Sequence, residues 1–214
     1  MTFVNTKTPV SEETVTLTGR ALAKQRTREK ILEAGRQLFM ERGYEGATVR
    51  DIAKAAGMST GAVFASFADK AELFDEIIAC HFRDVRAQMV AALDGAGDMH
   101  TALVRLFEAA YRAQTPQLPL VRAAISSAWT RDPGTADQAE ESMKPILNLL
   151  RDTLRQGVER GELASDTDVR LLRAIVWEIY LSGYRGAVYQ GWGVDELTRR
   201  FSQQLQIILA GVKA

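Results

Sequence analysis

Cysteine is almost missing from this chain. Cys80 stands alone, so no disulfide can close within it, and a cross-linked scaffold is excluded in favour of a fold suited to a reducing compartment. Histidine is nearly as scarce. His81 sits beside Cys80 and His100 is the only other one, but adjacent residues on a helix point about 100° apart, so the ligand count for zinc is poor. No metal and no cofactor is expected. There is no run of about twenty apolar residues, nor the apolar centre of a signal peptide at the start, and a cytoplasmic protein that does not meet a membrane is expected. No stretch alternates with the period of a strand, and no repeat or low-complexity block occurs. The chain also lacks net charge, which taken alone argues against nucleic acid.

The distribution of charge reverses that argument. Residues 20–70 hold ten Lys or Arg against six acids, a net of +4, so the remainder carries −4. A basic module on an acidic body is the asymmetry of a DNA-binding head with a separate sensing or dimerising part. Five of the basic residues, Arg20, Lys24, Arg26, Arg28 and Lys30, lead into the first helix, where they can reach phosphates or a minor groove. Residues 1–19 are threonine-rich and patternless and are expected to form a flexible tail.

Apolar residues at helical spacing then define the elements. Thr27 to Arg42 is a first helix with Ile31, Leu38 and Phe39 on one face, ended by Gly43. After Asp69 a helix of about 24 residues runs to Leu93 and spans roughly 36 Å, long enough to join head to body. After the break at Asp94–Asp98, a helical run holds Leu103, Leu106, Phe107, Ala110 and Tyr111 and is ended by Pro116 and Pro119; further helices follow over Leu120–Trp129, Ala136–Arg160 with a kink at Pro145, Asp168–Gln190 and Val194–Val212. Asp132-Pro133-Gly134 closes the helix before it.

The most informative stretch is Thr48 to Lys70, TVRDIAKAAGMSTGAVFASFADK. Thr48 precedes Val49, Ile52, Ala53 and Ala56 at helical spacing, with Asp51 three places on as a capping-box variant. Gly57 suits a left-handed turn, and Ser59 is placed to cap a second helix that buries Val63 and Phe67 and leaves Thr60, Gly61, Ala62 and Ser66 outward. Two short helices joined so tightly must cross, which is the helix-turn-helix.

Here the sequence resembles the TetR/AcrR family of transcriptional repressors. The likeness runs from Thr27 to Ile77: TREKILEAGRQLFMERGYEGAT, then Asp51-Ile52-Ala53, Ala56-Gly57, Ser59, Gly61, Phe67, Lys70 and Leu73. It departs at Phe64, where the family has an aromatic with a hydroxyl, and at Ser66, where a larger residue is common. The resemblance implies an all-α fold of about nine helices. Residues 20–70 form a three-helix DNA-binding head and residues 71–214 an effector-binding and dimerising body, whose last two helices pair with a second copy as a four-helix bundle. It implies a ligand-responsive repressor that binds a palindromic operator in double-stranded DNA as a homodimer. The candidate DNA contacts are Lys24, Arg26, Arg28, Thr48, Val49, Arg50, Ser59, Thr60, Gly61, Ala62, Phe64, Ser66 and Lys70. The second helix has no Arg, Lys, Asn or Gln, so Arg50 is the side chain able to pair with a guanine edge.

In the body, Phe107, Tyr111, Arg122, Ser126, Trp129, Trp177, Tyr180 and Tyr184 are candidates for a pocket that takes a small apolar or aromatic effector, because Tyr and Trp bring polar handles that a plain core seldom needs. Two other readings compete. Gly57-Met58-Ser59-Thr60-Gly61 matches the G-x-S-x-G of esterases, with Asp75 and His81 or Asp94 and His100 downstream, but that chemistry needs a strand before the serine and DIAKAA is helical. A helical interaction protein without DNA binding would leave the basic leader and the capped turn unexplained.

Overall fold

The computed structural model describes residues 19–130 and 137–212, and the side chains of these except 128–130 and 137–140. The expected tail (1–18 of it) and the Asp132-Pro133-Gly134 turn lie outside the described residues. Those described form nine α-helices and one short 3-10 turn. In order they are α1 (Gly19–Gly46), α2 (Val49–Ala55), α3 (Thr60–Phe64), α4 (Lys70–Ala92) and α5 (Met99–Gln114). The turn Thr115–Gln117 leads to α6 (Leu118–Thr130), α7 (Asp137–Glu159), α8 (Val169–Gln190) and α9 (Val194–Ala210).

Two boundaries in the head differ from the sequence reading. The first helix starts at Gly19, eight residues before Thr27, because ALAKQR contains only good helix formers and nothing that breaks the turn. Its regular part stops at Gly43, whose φ of 72° interrupts it. The second helix of the motif ends at Phe64, and Ser66 and Phe67 continue as a turn bonded to the Val63 carbonyl. Pro145 lies inside α7, which runs through it unbroken.

The apolar side chains collect into two cores. Ile31, Phe39, Ile52, Val63 and Phe67 pack with Leu73, Phe74, Ile77 and Ile78 from the first half of α4. Val85 and Met89, further along the same helix, belong to the second core with Leu103, Phe107, Leu150, Tyr180 and Phe201. The head's core therefore extends beyond residue 70, and α4 is shared. α6 is shared as well: Leu120 is fully buried in the head's core, while Val121 faces the body's. Two packed helices thus connect head to body, and neither can shift without disturbing both cores.

Candidate nucleic-acid interface and effector body

The head is built to hold a five-residue helix that could not persist alone. Thr48 caps α2 by accepting from the Asp51 N–H at 3.2 Å, and its hydroxyl donates to Asp51 Oδ2 at 2.7 Å. That hydroxyl, with Arg42 of α1 at 3.5 Å, holds the Asp51 carboxyl below the usual range. Gly57 then turns with φ 69°, a conformation that costs any other residue steric strain. Ser59 Oγ accepts from the Ala62 N–H at 3.2 Å and starts α3. Val63 and Phe67 are 1% and 2% exposed, and each fully buried side chain of this kind contributes about 1.5–3 kcal/mol. α3 is fastened from behind by these two residues.

Its front is open. Ser59, Thr60, Gly61 and Ala65 are exposed, and Phe64 is 54% exposed, too open for a ring that merely fills apolar space. Ala62 is half-buried, and the Ser66 hydroxyl donates to the Ala62 carbonyl at 3.2 Å. Elsewhere in the head Lys24, Arg26 and Arg50 are exposed, and none of the three shows a side-chain hydrogen bond or ion pair among the described residues.

Three of the residues expected on this face are engaged elsewhere. Arg28 donates to the Ser66 carbonyl at 2.6 Å, lies 3.5 Å from Glu76 and stacks 4.1 Å from the centre of the Phe67 ring. It braces α1 against the end of the motif. Lys70 Nζ donates to the Tyr44 carbonyl at 3.0 Å and sits 4.2 Å from the Tyr44 ring centre, so it secures the chain after Gly43. Val49 packs against the head's core. All three are drawn inward by contacts between residues distant in sequence, which the local pattern cannot carry.

In the body, four of the effector candidates converge. Phe107, Tyr111, Tyr180 and Tyr184 are buried in one aromatic cluster, with ring centres 4.5 Å apart for Phe107–Tyr180 and 5.0 Å for Tyr111–Tyr180. Gln114, which sequence reasoning missed, ties them together: its Oε1 accepts from the Tyr180 hydroxyl at 3.1 Å and the Tyr184 hydroxyl at 2.5 Å. The two hydroxyls are 2.6 Å apart, and Tyr111 donates to the Tyr180 carbonyl at 2.9 Å. Burial pushes all three phenols above their ordinary range, so they stay protonated donors. The available signal was a glutamine in register with Tyr111 on an apolar face.

The remaining candidates do not join this cluster as a group. Trp177 is half-buried and lies 5.1 Å from Tyr180. Arg122 and Ser126 are exposed on α6, turned out by the helix that buries Leu120 and Val121, and the Trp129 side chain lies outside the described residues. A cavity of about 150 Å³ lies between α8 and α9. Tyr111, Ser182, Gly183, Arg185, Trp192 and Arg200 are among its lining residues. Gly183 permits that packing, since a Cβ there would come within 2.6 Å of the Tyr111 hydroxyl.

The G-x-S-x-G pentapeptide occupies the turn between α2 and α3. A helix, not a strand, precedes Ser59, and its Oγ is held by a backbone cap. Among the described residues no group of three His, Cys, Asp or Glu could hold a metal ion, and no helix is long and apolar enough to cross a membrane.

A helix-turn-helix held on the shared end of a helical body is the architecture of a DNA-binding regulator with a sensing part. Comparison with known proteins gives the family. Residues 31–77 match the family model for bacterial regulatory proteins of the tetR family, and residues 93–184 match the tetracyclin repressor-like C-terminal domain. The HTH-type transcriptional repressor BepR of Brucella suis is 31% identical over 162 residues, 70% of this chain and 77% of that protein. The repressor AcnR of Corynebacterium glutamicum is 28% identical over 172 residues, covering 80% and 87%. The crystal structure of the regulator FadR from Bacillus subtilis, solved with stearoyl-CoA, superposes with a TM-score of 0.75 at 19% identity, covering 86% of this chain and 98% of that one. The chain belongs to the TetR family of bacterial regulatory proteins, DNA-binding regulators of transcription.

Proposed function

We propose that two copies of the chain pair through α8 and α9 and present their α3 helices to successive major grooves of a palindromic operator, roughly 34–36 Å apart. The observation that carries this reading is the front of α3, small side chains and Phe64 left open while Val63 and Phe67 hold it from behind. Lys24 and Arg26 would contact phosphates beside the groove, and Arg50 would read a guanine through O6 and N7. Thr48, Ser59, Thr60, Gly61, Ala62 and Phe64 complete the surface, with Ser66 at its margin. Arg28, Lys70 and Val49 serve by fixing the head rather than by touching DNA.

An effector that is small and apolar or aromatic would enter the body near the Phe107, Tyr111, Tyr180 and Tyr184 cluster. To release DNA it must prefer a state in which α4 and α6 hold the two heads at a spacing the grooves no longer fit. Selection from a random duplex pool should return an inverted repeat whose binding weakens steeply with salt, and a pool without one would overturn the operator reading. Saturation with a ligand found by thermal-shift screening should weaken operator binding. Unchanged affinity would remove the link between body and head.

A further inference from the structure

α8 carries a line of side chains that its own chain leaves uncovered. Leu171, Ile175, Glu178, Ser182, Arg185 and Tyr189 recur every three or four residues and are all exposed. They lie opposite Val176, Tyr180 and Ala187, which face the core. Tyr189 is 79% and Leu171 59% exposed, and large apolar side chains lined up on one helix face mark a surface that meets a partner. Glu178 and Arg185 stand two turns apart within this line, and neither shows an ion pair or side-chain hydrogen bond among the described residues. On α9, by contrast, Arg199 and Arg200 are both held by Glu196, at 2.7 and 2.6 Å. The uncommitted opposite charges are on α8.

We propose that α8 packs against α8 of a second copy in antiparallel register, the two-fold axis passing between Leu181 and Ser182, so that Glu178 of each chain meets the partner's Arg185. This rests on the dimer proposed above and adds its register. Charge selects the direction: a parallel pair would set Glu178 against the partner's Glu178 and Arg185 against the partner's Arg185. Antiparallel pairing brings opposite charges together twice, as an isologous interface requires. The same register carries Tyr189 to the partner's Ala174 and Ile175, covering the most exposed aromatic of the helix. The short Ser182 beside the axis lets the two backbones approach.

Sedimentation equilibrium of the full chain at low salt tests the register, with circular dichroism to confirm folding. Glu178→Arg and Arg185→Glu should each raise the dimer dissociation constant about a hundredfold, because each places like charges together at both symmetric contacts. The double variant E178R/R185E should return to the parent's value, and an equimolar mixture of the two single variants should form the heterodimer. If the parent dimerises and both single variants match it, or if the double swap fails to recover, the register is overturned while the dimer stands. A parent that stays monomeric at every concentration overturns the dimer itself.

Discussion

The head and the body bury different chemistry. The head's core is apolar throughout, with Arg28 and Lys70 laid over its edge against Phe67 and Tyr44. The body's core encloses three phenols and a glutamine that satisfy one another through hydrogen bonds. An apolar core holds one shape, because any displacement opens a void. A buried polar network can exchange its hydrogen bonds for those of an incoming molecule, at the cost of leaving any group that finds no new partner unsatisfied. The pairing suits a rigid reading head joined to a responsive body. α4 and α6, with residues in both cores, are where the two meet.

The sharpest break between the regions should come from Phe67. Phe67→Ala removes a fully buried ring and the surface on which Arg28 stacks, and such truncations cost about 3–5 kcal/mol. The expected outcome is loss of operator binding with the dimer intact. Gel filtration and a two-step thermal transition would show it, whereas a single unchanged transition would mean that Phe67 contributes little.

Gln114→Leu probes the body in the same way. It removes the acceptor shared by the Tyr180 and Tyr184 hydroxyls; one can still donate to the other across their 2.6 Å contact, so one buried donor is left unsatisfied at a cost of about 1–3 kcal/mol. Denaturant titration should show the body weakened, and operator affinity at temperatures where the protein stays folded should change little. The variant Gln114→Glu supplies an acceptor again but buries a charge, so it should not restore the parent's stability.

Arg50→Ala should weaken operator binding by about 1–3 kcal/mol and relax selection at one base pair per half-site. Binding to operators mutated at single positions would check this. A uniform loss across all sequences would make Arg50 a phosphate contact instead.

How far these parts can be read from the amino acids depends on how local their contacts are. Thr48, Gly57 and Ser59 act on neighbours within three residues, and Val63 and Phe67 share a face one turn apart, so the motif was legible. Arg28 reaches Ser66 and Lys70 reaches Tyr44 across many intervening residues, and no local spacing marks them as braces. Gln114 was hidden for the same reason, since its partners lie on α8. Several helix ends, at Gly43, Asp69 and Gly191 among them, were read because a cap or a glycine marked them. Others were missed, at Gly19, where no such residue bounds the leader, and at Phe64, where the buried Phe67 extends the pattern past the last helical turn.

His81 lies on α4 between the stretches that serve the two cores, 7% exposed, its Nε2 without a partner. Burial is the main cause holding its pKa below the ordinary 6.5; Arg36 adds to this and Asp84 opposes it. Because the folded value is depressed, the stability it permits is fully present above about pH 6.5 and is lost as pH falls from there toward the folded pKa. Melting temperature should therefore decline between pH 7 and 5.5, and His81→Leu should flatten that slope. An equal slope in both proteins would assign the decline to other groups.

The smallest effect expected is at Phe64, where the head departs from the family pattern. Its ring stands out from α3, and a phosphate facing it would find no hydrogen-bond donor on phenylalanine. A tyrosine would keep the ring and add a hydroxyl, and hydrogen bonds to backbone phosphates position a helix without reading sequence. Phe64→Tyr should tighten binding by about 0.5–1.5 kcal/mol per subunit, the net size of one hydrogen bond. The gain should be equal on operator and scrambled duplexes at matched salt, because a phosphate is present in both. A gain confined to the operator would place the ring against a base edge, and equal or weaker binding by the variant would show that Phe64 does not face a phosphate.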